Sequence, residues 1–467
     1  MKCRVYGFFP PPLCSSVESV RRTIHPVKAE KHAFGAHNYV CAAARAVKFF
    51  LFDASLCVCA MSISKTLGAE ALFRAFTSNG PLIMKLGQFL STRADILPEE
   101  ALLRLKAIQS MAPSSVPGAA DPLDMLRKET GVALPRSSLK GKIGAGCISQ
   151  VYRVQIGEKD YALKIIDRSV REQIHADLVL FQMFSAVLGF GRFYREFMRN
   201  MGAQMDLNKE RENTERFRRN FAMYRSPAES SSAFTRIVSK LTDTSFIFPK
   251  PIAATESLLL TEYWKGGEVG RAHGEGILFM FLKMLFKDRF VHSDLHPGNL
   301  AVLDAHGGRG TCTGSARAPS KHHTIIVYDT GLSHELTQAQ CKNLKDLSKE
   351  VLLGRKERAL SLVIDRNRLN QHTCEEKRAF LKSAAAHWER LRAGAAGLPS
   401  GIFRGYALTQ RHNVFLDSAY TNIMMSVLYV QDHIRDIKRL RWPVALKSGL
   451  SVDYVELFAR WRLNLGH

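Results

Sequence analysis

The sequence predicts a bilobal α+β fold in which a smaller, strand-rich lobe precedes a larger helical one, with helical segments at both ends. Three observations carry this expectation. Residues 137–166 alternate short β-type runs with glycines, as a hairpin does. Two apolar, strand-like runs, beginning at Leu258 and at Ile325, each lead directly into polar residues. Beyond Thr337 the chain reads as helical, with a kink or stop at Pro443. A chain of 467 residues with 46% hydrophobic content can bury a large core and fits two or three structural units.

From the N-terminus, residues 1–50 hold eight Lys or Arg but only Glu18 and Glu30 as acids. That imbalance suits a mitochondrial transit segment. A solvated basic tail is the alternative, because serines are few and Pro10–Pro12 would break an amphipathic helix. The stretch Phe49–Ile63 is apolar but carries Asp53, and it falls short of the roughly 20 residues a membrane span needs. Surface attachment and core packing both remain open for it.

Ala69–Gln109 predicts two helices around a Pro-containing break, the first with Lys85, Leu86, Gly87 and Gln88, the second starting near Pro98. Pro113–Pro122 reads as a linker. In Glu196–Tyr224, the four-residue spacings of Phe197, Met201 and Met205, then of Phe217 and Phe221, predict a helix with one buried face. Ala305–Thr324, rich in Gly, Ser, Lys and His, is expected as a surface loop between two strands. The resulting division is a basic segment over 1–60, a helical extension over 61–120, a small lobe with an inserted helix over 121–268, and a large lobe with C-terminal helices over 269–467.

Composition narrows the partners. The nine cysteines are odd in number and scattered without a CxxC pair, which favours free thiols in a reducing compartment. Cys57 and Cys59 have no second pair with which to hold a metal. A net charge of +23 points to a phosphate-rich partner. Zinc-finger spacing and aromatic RNA-binding signatures are both missing, which argues against nucleic acid and favours an anionic lipid membrane surface. Arg435, Lys438, Arg439 and Arg441 would serve such docking, or form an exposed helix face.

The densest chemistry lies in His292-Ser-Asp294-Leu-His296-Pro-Gly-Asn299, followed after a strand by Asp329-Thr-Gly331. This is the spacing of a protein-kinase catalytic loop and metal motif, and it calls for ATP and Mg²⁺. There an Asp (here Asp294) meets the attacking hydroxyl or water, an Asn (Asn299) holds metal, and a second Asp (Asp329) bridges metal to the β- and γ-phosphates. Hard Mg²⁺ takes oxygen ligands. A competing reading makes His292, Asp294 and His296 the metal triad of a hydrolase, but it leaves Asn299 and Asp329 without a role. Upstream, Gly144 and Gly146 sit where a glycine loop would cover nucleotide, and Lys164 ends Tyr161-Ala-Leu-Lys164 where a strand would present it to the α- and β-phosphates. Of two acids one turn apart, Asp206 and Glu210, Glu210 is the candidate partner for Lys164, whereas Glu212 and Glu215 fit a solvated face. Backbone groups around Glu262 to Trp264 would meet the adenine.

The run Gly80-Pro-Leu-Ile-Met-Lys85-Leu-Gly-Gln88 through Arg93, Asp95 and Pro98 resembles the KxGQ signature of the UbiB/AarF family, and the likeness covers roughly residues 70–350. It implies a bilobal protein-kinase-like fold with an N-terminal helical KxGQ extension and a mostly helical C-terminal region. By the same resemblance, Lys85 and Gln88 face the nucleotide, and ATP hydrolysis or small-molecule phosphorylation is expected over protein phosphorylation. Ubiquinone-biosynthesis enzymes or ubiquinone precursors become the expected partners, at the inner membrane or matrix side of the mitochondrion. Three departures stand out. The family's ExD acid falls on Gln204, the Gly144–Ser149 loop has glycines where alanine is usual, and the metal motif is Asp329-Thr-Gly331 where DFG is usual. A helix is expected about six residues after Gly331, which leaves no room for a long peptide-docking activation segment. A nucleotide-binding pseudokinase scaffold is the second reading.

Overall fold

The computed structural model describes residues 36–91, 97, 99–105, 107–110, 121–187, 191–224, 244–303, 323–366 and 372–392, with isolated positions between 405 and 430. Its first helix, α1 (Ala36–Val47), runs through a π-helical stretch (Lys48–Asp53) into α2 (Ala54–Ile63). Tyr39–Ile63 is thereby one 25-residue helix with a mean hydropathy of 1.8 in its most apolar window. This corrects the expectation of a segment too short and too interrupted to cross a membrane. The charges along it are paired or bonded: the Arg45 guanidinium pairs with Asp177 at 2.6 Å, and the half-exposed Lys48 donates to Asn79 at 3.0 Å and to Asp53 at 3.2 Å.

Ser64, in an extended conformation, separates this helix from α3 (Lys65–Ser78). Gly80, at φ 90°, and Pro81 in the first turn set the start of α4 (Pro81–Leu90), which carries Lys85 and Gln88. Then follow α5 (Glu99–Leu105) and α6 (Ala107–Ser110). The expected first helix is therefore two, divided at Asn79–Gly80; Arg93, Asp95 and Pro98 lie outside the described residues. Phe76, Leu82, Leu86, Leu105 and Ile108 form a core shared with Ile148, Ile174, Phe197 and Met201. The extension thus packs on the glycine loop and on the helices that follow the first sheet.

Most of the expected linker also lies outside the described residues, and its end, Pro122, opens α7 (Pro122–Thr130), which Asp121 caps. Next come β1 (Leu139–Ala145), β2 (Gln150–Ile156) and β3 (Lys159–Ile165). Three helices follow: α8 (Arg168–Val187), α9 (Gly191–Gln204) and α10 (Leu207–Asn220). The helix expected over Glu196–Tyr224 is broken between α9 and α10, because Asp206 adopts extended backbone and its carboxylate accepts the Asn208 N–H at 3.0 Å, starting a new helix. Asp206 is a cap, which leaves Glu210 one turn inside.

After β4 (Thr244–Ile247), β5 (Pro251–Ala254) and β6 (Leu258–Glu262), an antiparallel sheet is complete in the order β1-β2-β3-β6-β5. One face packs Tyr161, Leu163, Ile165 and Leu260 against Leu123 and Leu126 of α7. Then come α11 (Gly274–Lys283), β7 (Phe290–His292), β8 (Leu300–Leu303), β9 (His323–Val327) and β10 (Ser333–Glu335). They give a three-stranded sheet, β4-β9-β8, and the pair β10-β7. Phe217, Phe221, Phe246, Phe248, Phe279 and Phe290 build an aromatic core around them. Residues 304–322, nearly all of the expected surface loop, lie outside the described residues, and β8 and β9 border them.

A capping box between Thr337 and Gln340 starts α12 (Gln338–Leu352), so a helix does follow Gly331 closely, with only β10 between them. It leads to α13 (Lys356–Asp365) and α14 (Cys374–Arg392). Pro443 and the basic positions 435–441 lie outside the described residues.

Candidate functional site

Strand alternation places the central cation. Because Tyr161, Leu163 and Ile165 face the sheet's core, Lys164 points to the other side. Its ammonium donates to both carboxylate oxygens of Glu210, at 2.9 and 2.7 Å, and to Asp329 Oδ2 at 2.7 Å. Three segments far apart in sequence therefore meet at one nitrogen. The side chains are 15%, 5% and 41% exposed for Lys164, Glu210 and Asp329, so the first two form the buried base and Asp329 opens to solvent.

The electrostatics follow from that arrangement. Burial alone would push the Lys164 ammonium down, but the Asp329 and Glu210 carboxylates outweigh it and hold the lysine above its ordinary value. Burial raises Glu210 to about 7, with the Asp329 charge adding to the rise and Lys164 opposing it. Asp329 goes the other way: burial would raise it, yet Lys164 and the Gly331 N–H hold it well below the usual carboxylate range.

His292 is buried and ties the two motifs together. Its Nδ1 accepts the Asp294 N–H at 3.1 Å while Nε2–H donates to the Asp329 carbonyl. These bonds fix the neutral tautomer, and burial lowers its pKa in the same sense. With both nitrogens spent on backbone, His292 has none left for a metal, and His296 Nδ1 accepts the Gly298 N–H at 3.0 Å. Among the described residues no group of three or more His, Cys, Asp or Glu is arranged to hold a metal. The HxDxH triad is thus not formed.

Asn299 donates its Nδ2–H to the Asp294 carbonyl at 2.9 Å, which reserves Oδ1 as the acceptor. Its own carbonyl accepts the Tyr328 N–H at 3.0 Å, and Asp329 Oδ1 accepts the Gly331 N–H at 2.9 Å. The groups presented at this corner are therefore amide and carboxylate oxygens, the donor set that fits Mg²⁺.

The Lys164, Glu210 and Asp329 centre opens with Asp294 and Asn299 into one cavity of about 860 Å³. Lys85, Gln88, Gly144, Gly146, Lys164, Glu210, Glu262, Trp264, Asp294, Asn299 and Asp329 each contribute to its wall, so every candidate read from the sequence reaches the same space. Gly146 N–H donates to the Ser149 carbonyl at 2.8 Å and closes the glycine loop. A Cβ at Gly144 or Gly146 would meet nothing nearer than 3.8 or 3.6 Å, so these glycines serve ligand approach more than local packing. Gln88 Nε2–H donates to the Ile108 carbonyl at 3.2 Å, which anchors that side chain to α6. Lys85 has no ion-pair partner among the described residues, and Gln204 on the same wall supplies no charge.

Two details were not visible in sequence. The Glu262 N–H donates to the Lys250 carbonyl at 3.0 Å, and a Glu262 carboxylate oxygen accepts the Lys250 N–H at 3.2 Å. The Glu262 N–H is thus committed to the strand, and any adenine contact from this stretch falls to the other backbone groups between Glu262 and Trp264. The Trp264 N–H, by contrast, has no partner among the described residues. The second detail is Thr330, fully buried between the two acids of the site; its only signal in sequence was a hydroxyl residue at the centre of the metal motif.

Residues 137–362 match the ABC1 atypical kinase-like domain. Similar curated proteins include the probable protein kinase UbiB of Shewanella loihica, 26% identical over 272 residues, covering 51% of this chain and 45% of that protein. UbiB of Shewanella frigidimarina is 26% identical over 320 residues, covering 62% and 54%. An uncharacterized protein of Synechocystis is 28% identical over 253 residues, covering 50% and 61%. The chain spans about half the length of the curated relatives it matches. Among solved structures, the Rv3197–erythromycin complex from Mycobacterium tuberculosis aligns at 14% identity and a TM-score of 0.39, over 80% of this chain and 97% of that one.

A kinase-like lysine–glutamate–aspartate centre inside a matching domain makes this an atypical kinase-like protein. With its UbiB relatives and the ordered motifs from Lys85 to Asp329, the chain belongs to the UbiB/AarF family.

Proposed function

We propose that the protein is an ATP- and Mg²⁺-dependent atypical kinase-like ATPase or small-molecule kinase. The observation that carries this reading is the convergence of Glu210 and Asp329 on the Lys164 ammonium, in a cavity that Asp294 and Asn299 also line. Lys164 would hold the α- and β-phosphates, Asn299 Oδ1 and Asp329 would hold Mg²⁺, and Asp294 would orient the attacking hydroxyl or water. Bound Mg²⁺ supplies charge neutralisation at the transferring phosphoryl group. Lys85, which lines the same cavity and has no ion-pair partner among the described residues, adds attraction for phosphate. The helical extension lines the cavity through Lys85, Gln88 and Phe89, and only β10 separates Gly331 from α12, which favours a small acceptor over a peptide.

The resemblance to the UbiB/AarF family favours a role in ubiquinone biosynthesis or mitochondrial lipid homeostasis, with ubiquinone precursors or their enzymes as partners. A mitochondrial, membrane-associated setting fits the basic N-terminus and the apolar helix. That helix is about 37 Å long at 1.5 Å per residue, enough for a hydrocarbon core of about 30 Å. It exposes Val40, Leu51, Phe52, Leu56, Val58 and Ile63, while Arg45 pairs with Asp177 and Lys48 with Asp53. The net charge of +23 favours anionic lipid.

A second reading, a nucleotide-binding pseudokinase scaffold, is favoured by Gln204, which leaves Lys85 without a counter-charge on that wall. Binding of a fluorescent ATP analogue, with and without Mg²⁺, tests the common part of both. Asp329→Asn is expected to abolish the Mg²⁺-dependent component; unchanged binding would refute the metal assignment.

A further inference from the structure

We infer that Thr330 is a positioning residue that latches the Asp329 loop to α10, so that the metal-binding carboxylate and Glu210 move as one body. The inference rests on the proposed nucleotide and metal site and adds the part that keeps its two acids in register.

Thr330 is fully buried, and Thr214 is 4% exposed. Their hydroxyl oxygens lie 2.7 Å apart. Thr214 Oγ1 is 2.8 Å from the Glu210 carbonyl and Thr330 Oγ1 is 3.2 Å from the same oxygen. Two protons suffice for this triangle, since one hydroxyl can donate to the carbonyl while the other donates to its neighbour. A third strut comes from the same helix, where Asn213 Nδ2–H donates to the Thr330 carbonyl at 3.0 Å. Ser333 Oγ–H donates to that carbonyl at 2.8 Å and braces it from the β10 side.

The residues on either side of Thr330 show what the latch holds. Asp329 contacts Lys164, and a Cβ at Gly331 would lie 3.2 Å from Asp329 Oδ1 and 3.3 Å from Glu210 Oε2. The loop therefore runs against the Glu210 carboxylate with little slack. An aromatic residue at 330 would hold such a loop through packing alone, which permits sliding or rotation. Directional hydrogen bonds between buried hydroxyls specify one position, and opening the loop would take the Thr330 hydroxyl from both of its partners.

The test uses the full chain with Thr330→Val, Thr330→Ser, Thr214→Val and the Thr330→Val/Thr214→Val double variant. The Mg²⁺ concentration for half-maximal binding of a fluorescent ATP analogue is measured beside binding in EDTA. Thr330→Val is expected to raise the Mg²⁺ requirement about tenfold, the scale of one lost buried hydrogen bond, while binding in EDTA is unchanged. Thr330→Ser is expected to stay within about twofold of wild type, and the double variant to be no worse than the worse single one. Hydrogen exchange of amides 329–333 and 207–214 is expected to speed up together in Thr330→Val. An unchanged Mg²⁺ requirement in Thr330→Val, or equal losses with and without Mg²⁺, would overturn the latch. If the wild type shows no Mg²⁺-dependent binding, the reading of the site itself fails, and the exchange rates alone decide the coupling: unchanged rates refute it.

Discussion

Lys164→Met removes the cation from between two carboxylates while nearly keeping its volume, so the pH dependence of the damage can be worked out from the structure. In the wild type Glu210 titrates near 7, raised from its ordinary 4.5. A carboxyl whose folded pKa is raised favours its neutral form in the native state. Its ionisation therefore costs stability as pH climbs from 4.5 to 7, about 3 kcal/mol for a side chain 5% exposed, and nothing further above 7. Without Lys164 the Glu210 pKa moves higher still, because burial and Asp329 lose their main opposition. Above pH 7 the variant holds one proton more than the wild type, so its deficit grows by about 1.4 kcal/mol per pH unit. Below pH 6 both proteins carry neutral Glu210 and this part of the difference vanishes. Asp329, held low in the wild type chiefly by Lys164, also rises in the variant, and any proton it retains there steepens the same trend. Urea unfolding of both proteins in metal-free buffer at pH 5.5, 7 and 8, at fixed ionic strength, measures the effect. A deficit that is constant across these pH values would refute the claim that Lys164 controls Glu210.

Two further perturbations separate packing from surface chemistry. Lys283 is 2% exposed and donates to both Asp288 oxygens, at 2.8 and 2.6 Å, and to the Asn220 carbonyl at 2.8 Å. Lys283→Met leaves a buried carboxylate without its partner and is expected to cost about 3–5 kcal/mol in urea unfolding, much of it recovered by adding Asp288→Leu. On the outward face of the first helix, Leu51 and Phe52 are 63% and 67% exposed. Leu51→Glu with Phe52→Glu is expected to leave stability within about 0.5 kcal/mol and to cut sedimentation with anionic vesicles at least tenfold. Undiminished vesicle binding would remove that helix from the membrane account.

How much of this was legible depends on where the information sits in the chain. Lys164, Asp294, Asn299 and Asp329 could be found because each follows or ends a local pattern, a strand or tight turn, at a spacing that the chemistry itself fixes. Glu210 could be found because strand and helix registers put one acid within reach. The break at Asp206 escaped because the apolar positions of α9 and α10 continue one another across it, while the capping bond that divides them leaves little mark on periodicity. The long apolar helix escaped for a different reason. Asp53 looks like an interruption, and Arg45 and Lys48 like a boundary, until Asn79 and Asp177 are seen to bond or neutralise them, and such partners are set by tertiary packing. The Thr214–Thr330 contact spans 116 positions and joins two residues that are unremarkable when read singly. Glu262 shows the converse, since its place in the cavity wall was readable but its commitment to Lys250 was not.

The most direct test of the account is Mg²⁺-dependent ATP turnover by the purified chain, assayed with and without anionic vesicles and a phenolic ubiquinone-precursor analogue, for the wild type and for Asp294→Asn. The account predicts turnover in the wild type that falls at least a hundredfold in Asp294→Asn while Mg²⁺-dependent nucleotide binding persists. Nucleotide binding with no turnover under any of these conditions, or equal turnover by the two proteins, would contradict it.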